Sequence, residues 1–113
     1  GSFFIDAMKK GLWIVRVFKN KNEDITADFR DYEFQFRDNG KVYAVKTATA
    51  EQVTGAWEGN VNNLTIFSNF PGAGEPLLRL NDTWKIINNT MKLVEAQPFN
   101  AGRSAYLKLV KKE

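Results

Sequence analysis

Apolar and polar residues alternate along most of this chain in short runs, a pattern typical of β-strands rather than of amphipathic helices. The clearest run is 29–37, in which Tyr32, Phe34 and Phe36 face one side while charged and amide side chains face the other. Asp-Asn-Gly follows at 38–40, and Asn-Gly between two strand-like runs is a strong hairpin signal. This part of the chain is therefore predicted to be an antiparallel hairpin with one aromatic face.

The same reasoning applied to the whole chain predicts eight strands joined by turns. They cover residues 12–19, 29–37, 41–47, 53–58, 64–68, 83–88, 91–96 and 104–111. Because sequential strands with short connections form a meander, and closure removes exposed strand edges, the predicted fold is an all-β, eight-stranded antiparallel up-and-down barrel. A two-sheet sandwich is the competing architecture.

Three segments between the strands carry helix or breaker signals. Residues 6–11 predict a short N-terminal helical turn that Asp6 caps and Gly11 ends. The polar segment 20–28 predicts a loop with one helical turn. Residues 69–76 are rich in Pro and Gly, and a short helix is expected at 77–80, after Pro76.

The tryptophans give the best indication of where the core lies. Trp13, Trp57 and Trp84 each sit in a strand-like run, and Gly11 and Gly55 precede the first two by two residues. Glycine lets a strand bend or a neighbour approach closely, and an inward indole fills the space so created. We therefore expect all three indoles to point into the barrel.

Composition removes several function classes. The 113 residues predict one domain, 1–113, and the net charge is only +3. The basic residues are scattered, so no nucleic-acid partner is expected. The chain has no Cys and no His, which excludes thiol nucleophiles, imidazole bases and thiolate metal sites. No run is long enough to span a membrane, and neither a cofactor nor a metal is expected.

Several short motifs resemble a known family. Gly-Leu-Trp at 11–13, the acidic pair at 23–24, the aromatic strand at 32–36 and Gly-Ala-Trp at 55–57 resemble a lipocalin-like domain. Leu-Asn-Asp-Thr-Trp at 80–84 is similar to a stretch that opens a late strand in the small calycin-like barrel proteins of Bacteroidetes. The resemblance covers nearly the whole chain, although the C-terminal helix and the disulfide of lipocalins proper are missing.

The resemblance implies a lipocalin-like barrel and export to the periplasm or cell envelope, with lipoproteins among its relatives. It is compatible with a lipid anchor upstream of this chain. It also implies a hydrophobic ligand inside the barrel and an arginine that stacks on the first tryptophan. Arg103 and Lys108 are the candidates for that stacking role. The oligomeric state does not follow from it.

The candidate ligand-binding residues form one aromatic set on the predicted inner face. They are Trp13, Tyr32, Phe34, Phe36, Trp57 and Trp84. Such a set predicts either the lining of an apolar pocket or a filled core, because an eight-stranded barrel encloses only enough space for side chains or one small ligand. In the first case the Tyr32 or Tyr43 hydroxyl or Arg79 would orient a small apolar ligand. Residues 70–74 are either a lid with glycine hinges over the barrel mouth or an ordinary connection between the two halves of the barrel.

In the second case the protein is an accessory or interaction module that acts through surface loops. On these loops Phe70 and Phe99 either form an exposed apolar patch or pack down onto the end of the barrel. Catalysis is not expected, because no paired constellation of acid and base residues is present. The carboxylates Glu23, Asp24, Asp28 and Asp31 are assigned to a solvated loop, with Asp28 and Asp31 capping a turn. The leading prediction is a non-catalytic protein that binds a hydrophobic ligand.

Overall fold

The computed structural model describes residues 3–113. They form a helix α1 (Phe3–Met8) and strands β1 (Trp13–Asn20), β2 (Glu23–Asp24), β3 (Tyr32–Phe36), β4 (Lys41–Lys46), β5 (Gln52–Asn60), β6 (Thr65–Asn69), β7 (Asp82–Thr90), β8 (Leu93–Pro98) and β9 (Ala105–Lys111). Two short 3-10 helices cover Thr26–Phe29 and Leu77–Leu80.

The strands make one closed antiparallel sheet. Each long strand pairs with its neighbour in the order β1-β3-β4-β5-β6-β7-β8-β9, and β9 pairs back onto β1. The two-residue β2 pairs only with the end of β1 and stands outside the ring. The all-β, eight-stranded antiparallel barrel predicted from the sequence is confirmed, and the sandwich is excluded.

The two ends of the barrel are covered by different elements. Helix α1 lies at one end, where Ile5 contacts Gly59 near the end of β5; we call this the helix end. Because β1 and β7 run in opposite directions, β7 begins at the other end, which is covered by segment 70–81. We call this the loop end, and we call residues 70–81 the capping segment.

The inner face follows the period of two predicted from the sequence. Tyr32, Phe34 and Phe36 on β3 are all buried, and Val42 and Ala44 on β4 are buried beside them. The core is continuous from the helix end to the loop end. The predicted orientation of the aromatic face is therefore confirmed.

The N-terminal helix begins earlier than predicted. It covers Phe3–Met8 rather than residues 6–11, so Asp6 lies within the helix and not at the residue that precedes it. Phe4 and Met8, four residues apart on one helix face, are both buried against the end of the barrel. This burial places the helix, whereas Gly11, with φ +70°, follows it in the connection to β1.

The strand predicted over 29–37 begins three residues later. Phe29 belongs to the first 3-10 helix, and its ring stacks on Phe18 with centroids 5.2 Å apart. That stacking is long-range packing, which alternation along the chain does not report. The segment 20–28 was predicted to be a loop with one helical turn, and the first 3-10 helix is that turn. The short strand β2, which forms a hairpin with the end of β1, was not predicted.

Gly55 shows why a glycine precedes the second tryptophan. A Cβ atom at this position would lie 2.5 Å from the Asn69 carbonyl oxygen and 2.7 Å from the Phe70 ring. The glycine thus allows the start of the capping segment to pack against β5. The prediction of a close approach is confirmed at Gly55.

Candidate functional site

The barrel interior is the first candidate site, because all six predicted ligand-binding side chains are buried in it. They do not form one surface. Phe34, Phe36 and Trp84 line a central cavity, whereas Trp13, Tyr32 and Trp57 do not. Trp57 instead packs edge-on against Phe36, with centroids 5.3 Å apart.

The central cavity is small and almost entirely apolar. Its volume is about 30 Å³, room for about two water molecules. Ligand pockets usually measure roughly 300–1,000 Å³. The polar side chain in the lining is Ser68, whose hydroxyl donates a hydrogen bond to the Leu80 carbonyl. The interior is therefore a nearly filled core.

The capping segment closes the loop end with apolar side chains. Phe70, Leu77 and Leu80 are all buried, and Phe70 packs edge-on against Phe34 at 6.3 Å. Of the two placements that the sequence leaves open for Phe70, exposure on the loop is wrong and packing onto the barrel end is correct, because the segment folds this ring inward where Gly55 leaves space for it. The predicted short helix at Leu77–Leu80 is confirmed.

Hydrogen bonds join the two ends of the capping segment. The Phe70 N–H donates to Asn81 Oδ1 at 2.6 Å, and Asn81 Nδ2 donates back to the Phe70 carbonyl at 3.5 Å. Trp84 Nε1 donates to the Leu80 carbonyl at 3.0 Å. These bonds fix the segment at both of its ends, although Gly72 and Gly74 between them have open space around them.

Arg103 fastens the capping segment from the β8–β9 loop. Its Nη1 lies 2.8 Å from Asp82 Oδ2 and its Nη2 donates to the Arg79 carbonyl at 2.9 Å. Its guanidinium carbon lies 5.2 Å from the Trp84 ring centroid. The cation expected over the first tryptophan is neither Arg103 nor Lys108. It is Lys111, whose Nζ lies 5.1 Å from the Trp13 centroid.

The residues expected to orient a ligand do not face the interior together. Tyr43 lies on the outer face of β4, where Arg37 stands 5.9 Å over its ring. Arg79 is half-exposed and pairs with Glu75 at 2.9 Å. Of the three, only Tyr32 is buried. The polar orienting set proposed from sequence is not assembled in the barrel.

The acidic loop has a structural role. Asp24 Oδ1 accepts the Thr26 N–H at 2.9 Å, and the Thr26 hydroxyl and N–H hold the pKa of Asp24 below its usual value. Asp24, rather than the predicted Asp28, makes the side-chain hydrogen bond to the turn that leads into the 3-10 helix. Within residues 3–113 no group of acidic side chains is arranged to hold a metal ion.

The outer face carries an aromatic feature that alternation alone does not reveal. Phe67 on β6 pairs with Thr83 on β7, and the Phe99 N–H donates to the Thr83 carbonyl at 2.8 Å, so the three residues form one row across the sheet. Phe67 is 42% exposed and Phe99 56% exposed. The predicted exposure of Phe99 is confirmed, while Phe67 was missed because strand alternation gives its direction but not its neighbours.

A polar network crosses the outer face of the last three strands. Glu95 accepts hydrogen bonds from the Tyr106 hydroxyl and from Asn88 Nδ2. Both bonds lower the pKa of Glu95, with Tyr106 the larger cause. Partial burial and the Glu95 carboxylate raise the pKa of Tyr106 to about 12. The network joins β7, β8 and β9.

Fold and site together define a closed antiparallel β-barrel protein with a nearly filled interior. No known family model matches the chain, and no curated protein matches it. A crystal structure of a DUF4847 family protein from Bacteroides vulgatus ATCC 8482 is similar in fold, with a TM-score of 0.68 over 96% of this chain and 97% of that chain. The two sequences are 11% identical, so the likeness concerns the fold alone. No helix among the described residues has the length and apolar character to cross a membrane.

Proposed function

We propose that this protein is a non-catalytic interaction module whose barrel interior is structural and whose recognition surface lies on the outside. The observation that carries the proposal is the central cavity of about 30 Å³. A fatty-acid-sized molecule needs roughly ten times that volume. The predicted hydrophobic ligand has no room unless the capping segment leaves.

The outer row of Phe67, Thr83 and Phe99 supports the same proposal. Two exposed phenyl rings, one on β6 and one directly after β8, flank one threonine on β7 and lie about 10 Å apart, at two strand spacings. Exposed aromatic side chains close together on a rigid sheet are typical of protein contact surfaces. A closed barrel holds them in fixed positions, which lowers the entropy lost on binding.

A titration with a fluorescent fatty-acid analogue tests the proposal. Trp84 lines the cavity and reports on an occupant. We expect no saturable change in tryptophan emission for the wild-type protein. A one-to-one, saturable change that a non-fluorescent fatty acid reverses would contradict the proposal.

The capping segment supports a second candidate, an apolar ligand that enters when this segment withdraws. Phe70, Leu77 and Leu80 are the three buried side chains of the segment, and their removal would join the cavity to solvent. If this candidate holds, Asn81→Ala, which removes the bonds that join the ends of the segment, will strengthen binding of the analogue. If the interior is purely structural, the variant will lose stability and bind nothing.

A further inference from the structure

The barrel is closed least tightly between β1 and β3. These two strands pair at one position, Trp13 with Phe34, whereas β3 and β4 pair at five. Beyond Trp13 the first 3-10 helix covers this side of β1, and the Phe18 N–H donates to Thr26 Oγ1 at 2.9 Å. A helical turn rather than strand pairing therefore fills this part of the sheet, and it leaves a groove against β1.

We call this the seam groove, and its size and walls are those of a small-molecule site. Its volume is about 270 Å³, near the lower end of the range of roughly 300–1,000 Å³ for ligand pockets. Val15 and Phe29, which are both buried, and Ile14, which is half-buried, form apolar walls. The charged side chains of the lining are both cationic, and they are Arg16 and Arg30.

A β-bulge gives Arg16 its place in the seam groove. Val15 pairs with Leu109 and Val17 pairs with Lys108, so Arg16 is an extra residue with no counterpart in the register of β9. Bulges of this kind bend a strand and redirect a side chain, and they are over-represented next to active sites. The irregularity of β1 thus lies at the residue that brings a charge to the groove.

Arg30 borders the seam groove on the side of the 3-10 helix. It follows the helix directly, and its N–H donates to the Ala27 carbonyl at 3.2 Å, which fixes its backbone. Both arginines are exposed, so a ligand from solvent can reach them. The ion pairs formed by residues 3–113 lie elsewhere and join Arg79 to Glu75, Arg103 to Asp82 and Lys112 to Glu33. Within that range, neither guanidinium group of the groove has a carboxylate partner.

We propose that the seam groove binds a small carboxylic acid with a compact apolar body, for which Arg16 and Arg30 supply the counter-charge. A planar guanidinium donates two parallel hydrogen bonds to a carboxylate, which makes arginine the better cation for this group. Apolar walls beside the two cations exclude part of the water and so strengthen their attraction for an anion. The same walls remove the body of the acid from water, which adds affinity that an inorganic anion does not gain.

NMR of the Ile14 and Val15 methyl groups gives a direct test, because both side chains line the seam groove. Benzoate is the probe, benzamide is its neutral analogue of the same shape, and acetate carries the charge without the apolar body. We expect benzoate to shift both methyl signals saturably, and benzamide and acetate each to bind about tenfold more weakly or worse. The proposal is overturned if benzoate causes no saturable shift, or if either analogue binds as tightly as benzoate.

Arginine variants test the role of the counter-charge. Arg16→Gln and Arg30→Gln should each weaken benzoate binding by about tenfold and leave the weak binding of benzamide unchanged. Arg16→Lys, which keeps the charge but loses the planar fork, should recover part of the affinity. The matched control is Arg37→Gln, because Arg37 is also exposed and lies over Tyr43, outside the groove. Equal losses in Arg16→Gln and Arg37→Gln would reveal a general effect of charge and overturn the proposal.

The Trp84 indole signal separates this site from the barrel interior, since Trp84 lines the central cavity and not the seam groove. We expect it to stay in place when benzoate binds. A saturable shift of Trp84 without shifts of Ile14 and Val15 would put the acid inside the barrel and overturn the inference. The inference goes beyond the function proposed above. The seam groove lies beside β1 and the aromatic row crosses β6 and β7, so either site can fail alone.

Discussion

The guanidinium of Arg103 lies over the indole of Trp84, with its central carbon 5.2 Å from the ring centroid. The indole N–H bonds to Leu80 and the guanidinium bonds to the Arg79 carbonyl, so the pair holds the end of the capping segment from two sides. The capping segment inserts Phe70, Leu77 and Leu80 into the barrel. The contact between Arg103 and Trp84 therefore keeps the interior closed.

Arg103→Ala should therefore destabilise the protein by about 2 kcal/mol, since it removes a charge-assisted hydrogen bond and a cation–π contact and leaves Asp82 without its partner. Urea unfolding followed by tryptophan emission measures the change. Lys108→Ala, a cation on the neighbouring strand and outside the capping contacts, serves as control. Equal effects of the two substitutions would show that Arg103 does not fasten the segment.

Gly55→Ala should destabilise the fold by about 1–3 kcal/mol, the usual cost of overpacking. The added methyl would meet the Asn69 carbonyl and the Phe70 ring at less than 3 Å. Gly74→Ala is the matched control, since it has open space and does not have a positive φ. That substitution should be neutral or stabilise by about 0.4–1 kcal/mol. The prediction fails if thermal unfolding shows Gly55→Ala to be as stable as the wild type.

Tyr106 should make stability depend on pH in alkaline solution. Its pKa is raised from 10.0 to about 12 in the folded protein, so the folded state keeps the proton while the unfolded state loses it. The stabilisation that comes from this difference in the pKa of Tyr106 is present below pH 10 and is lost as pH rises towards 12. Because Tyr106→Phe removes the ionisable hydroxyl, that variant should not show this loss.

Glu95 makes the opposite contribution in acid. Its pKa is lowered by the Tyr106 hydroxyl and Asn88, so the stability it provides is present above its unfolded pKa and is lost as pH falls. Tyrosinate absorbance measures the titration of Tyr106, and chemical denaturation at a series of pH values measures the loss of stability in alkali and in acid. A tyrosinate step near pH 12 that persists in Tyr106→Phe would assign it to another tyrosine.

Phe67→Ala and Phe99→Ala should change the free energy of unfolding by less than about 0.5 kcal/mol each, as is usual for exposed positions. Phe70→Ala should cost about 3–5 kcal/mol, because that ring is buried against Phe34. Denaturant midpoints compare the three variants. If all three substitutions lower the free energy of unfolding by the same amount, the division between an outer row and an inserted ring is wrong.

Strand alternation was sufficient to predict the barrel. The period of two places Tyr32, Phe34 and Phe36 on one face, and Gly55 before Trp57 signals a close approach, and both predictions match the structure. Because the connections are short, consecutive strands pair with each other, and closure of the sheet into a barrel then pairs the first strand with the last. Those features are local, which is why one sequence reveals them.

The misassigned residues are those whose positions depend on distant contacts. Phe70 lies in a Pro- and Gly-rich segment that looks like a surface loop, yet Asn81 and Gly55 direct its ring inward. Phe29 leaves its predicted strand because it stacks on Phe18. The cavity volume likewise depends on how all inward side chains fit together, so the aromatic face alone could not separate a pocket from a core.

Crystals held under xenon pressure show whether the barrel interior is filled. Phe70→Ala provides the positive control, since the removed ring should leave an apolar cavity of the kind that takes up xenon. In the wild-type protein we expect no xenon among Phe34, Phe36 and Trp84. Well-ordered xenon at that position in the wild type would show an accessible ligand space and would mean that the interior is not filled.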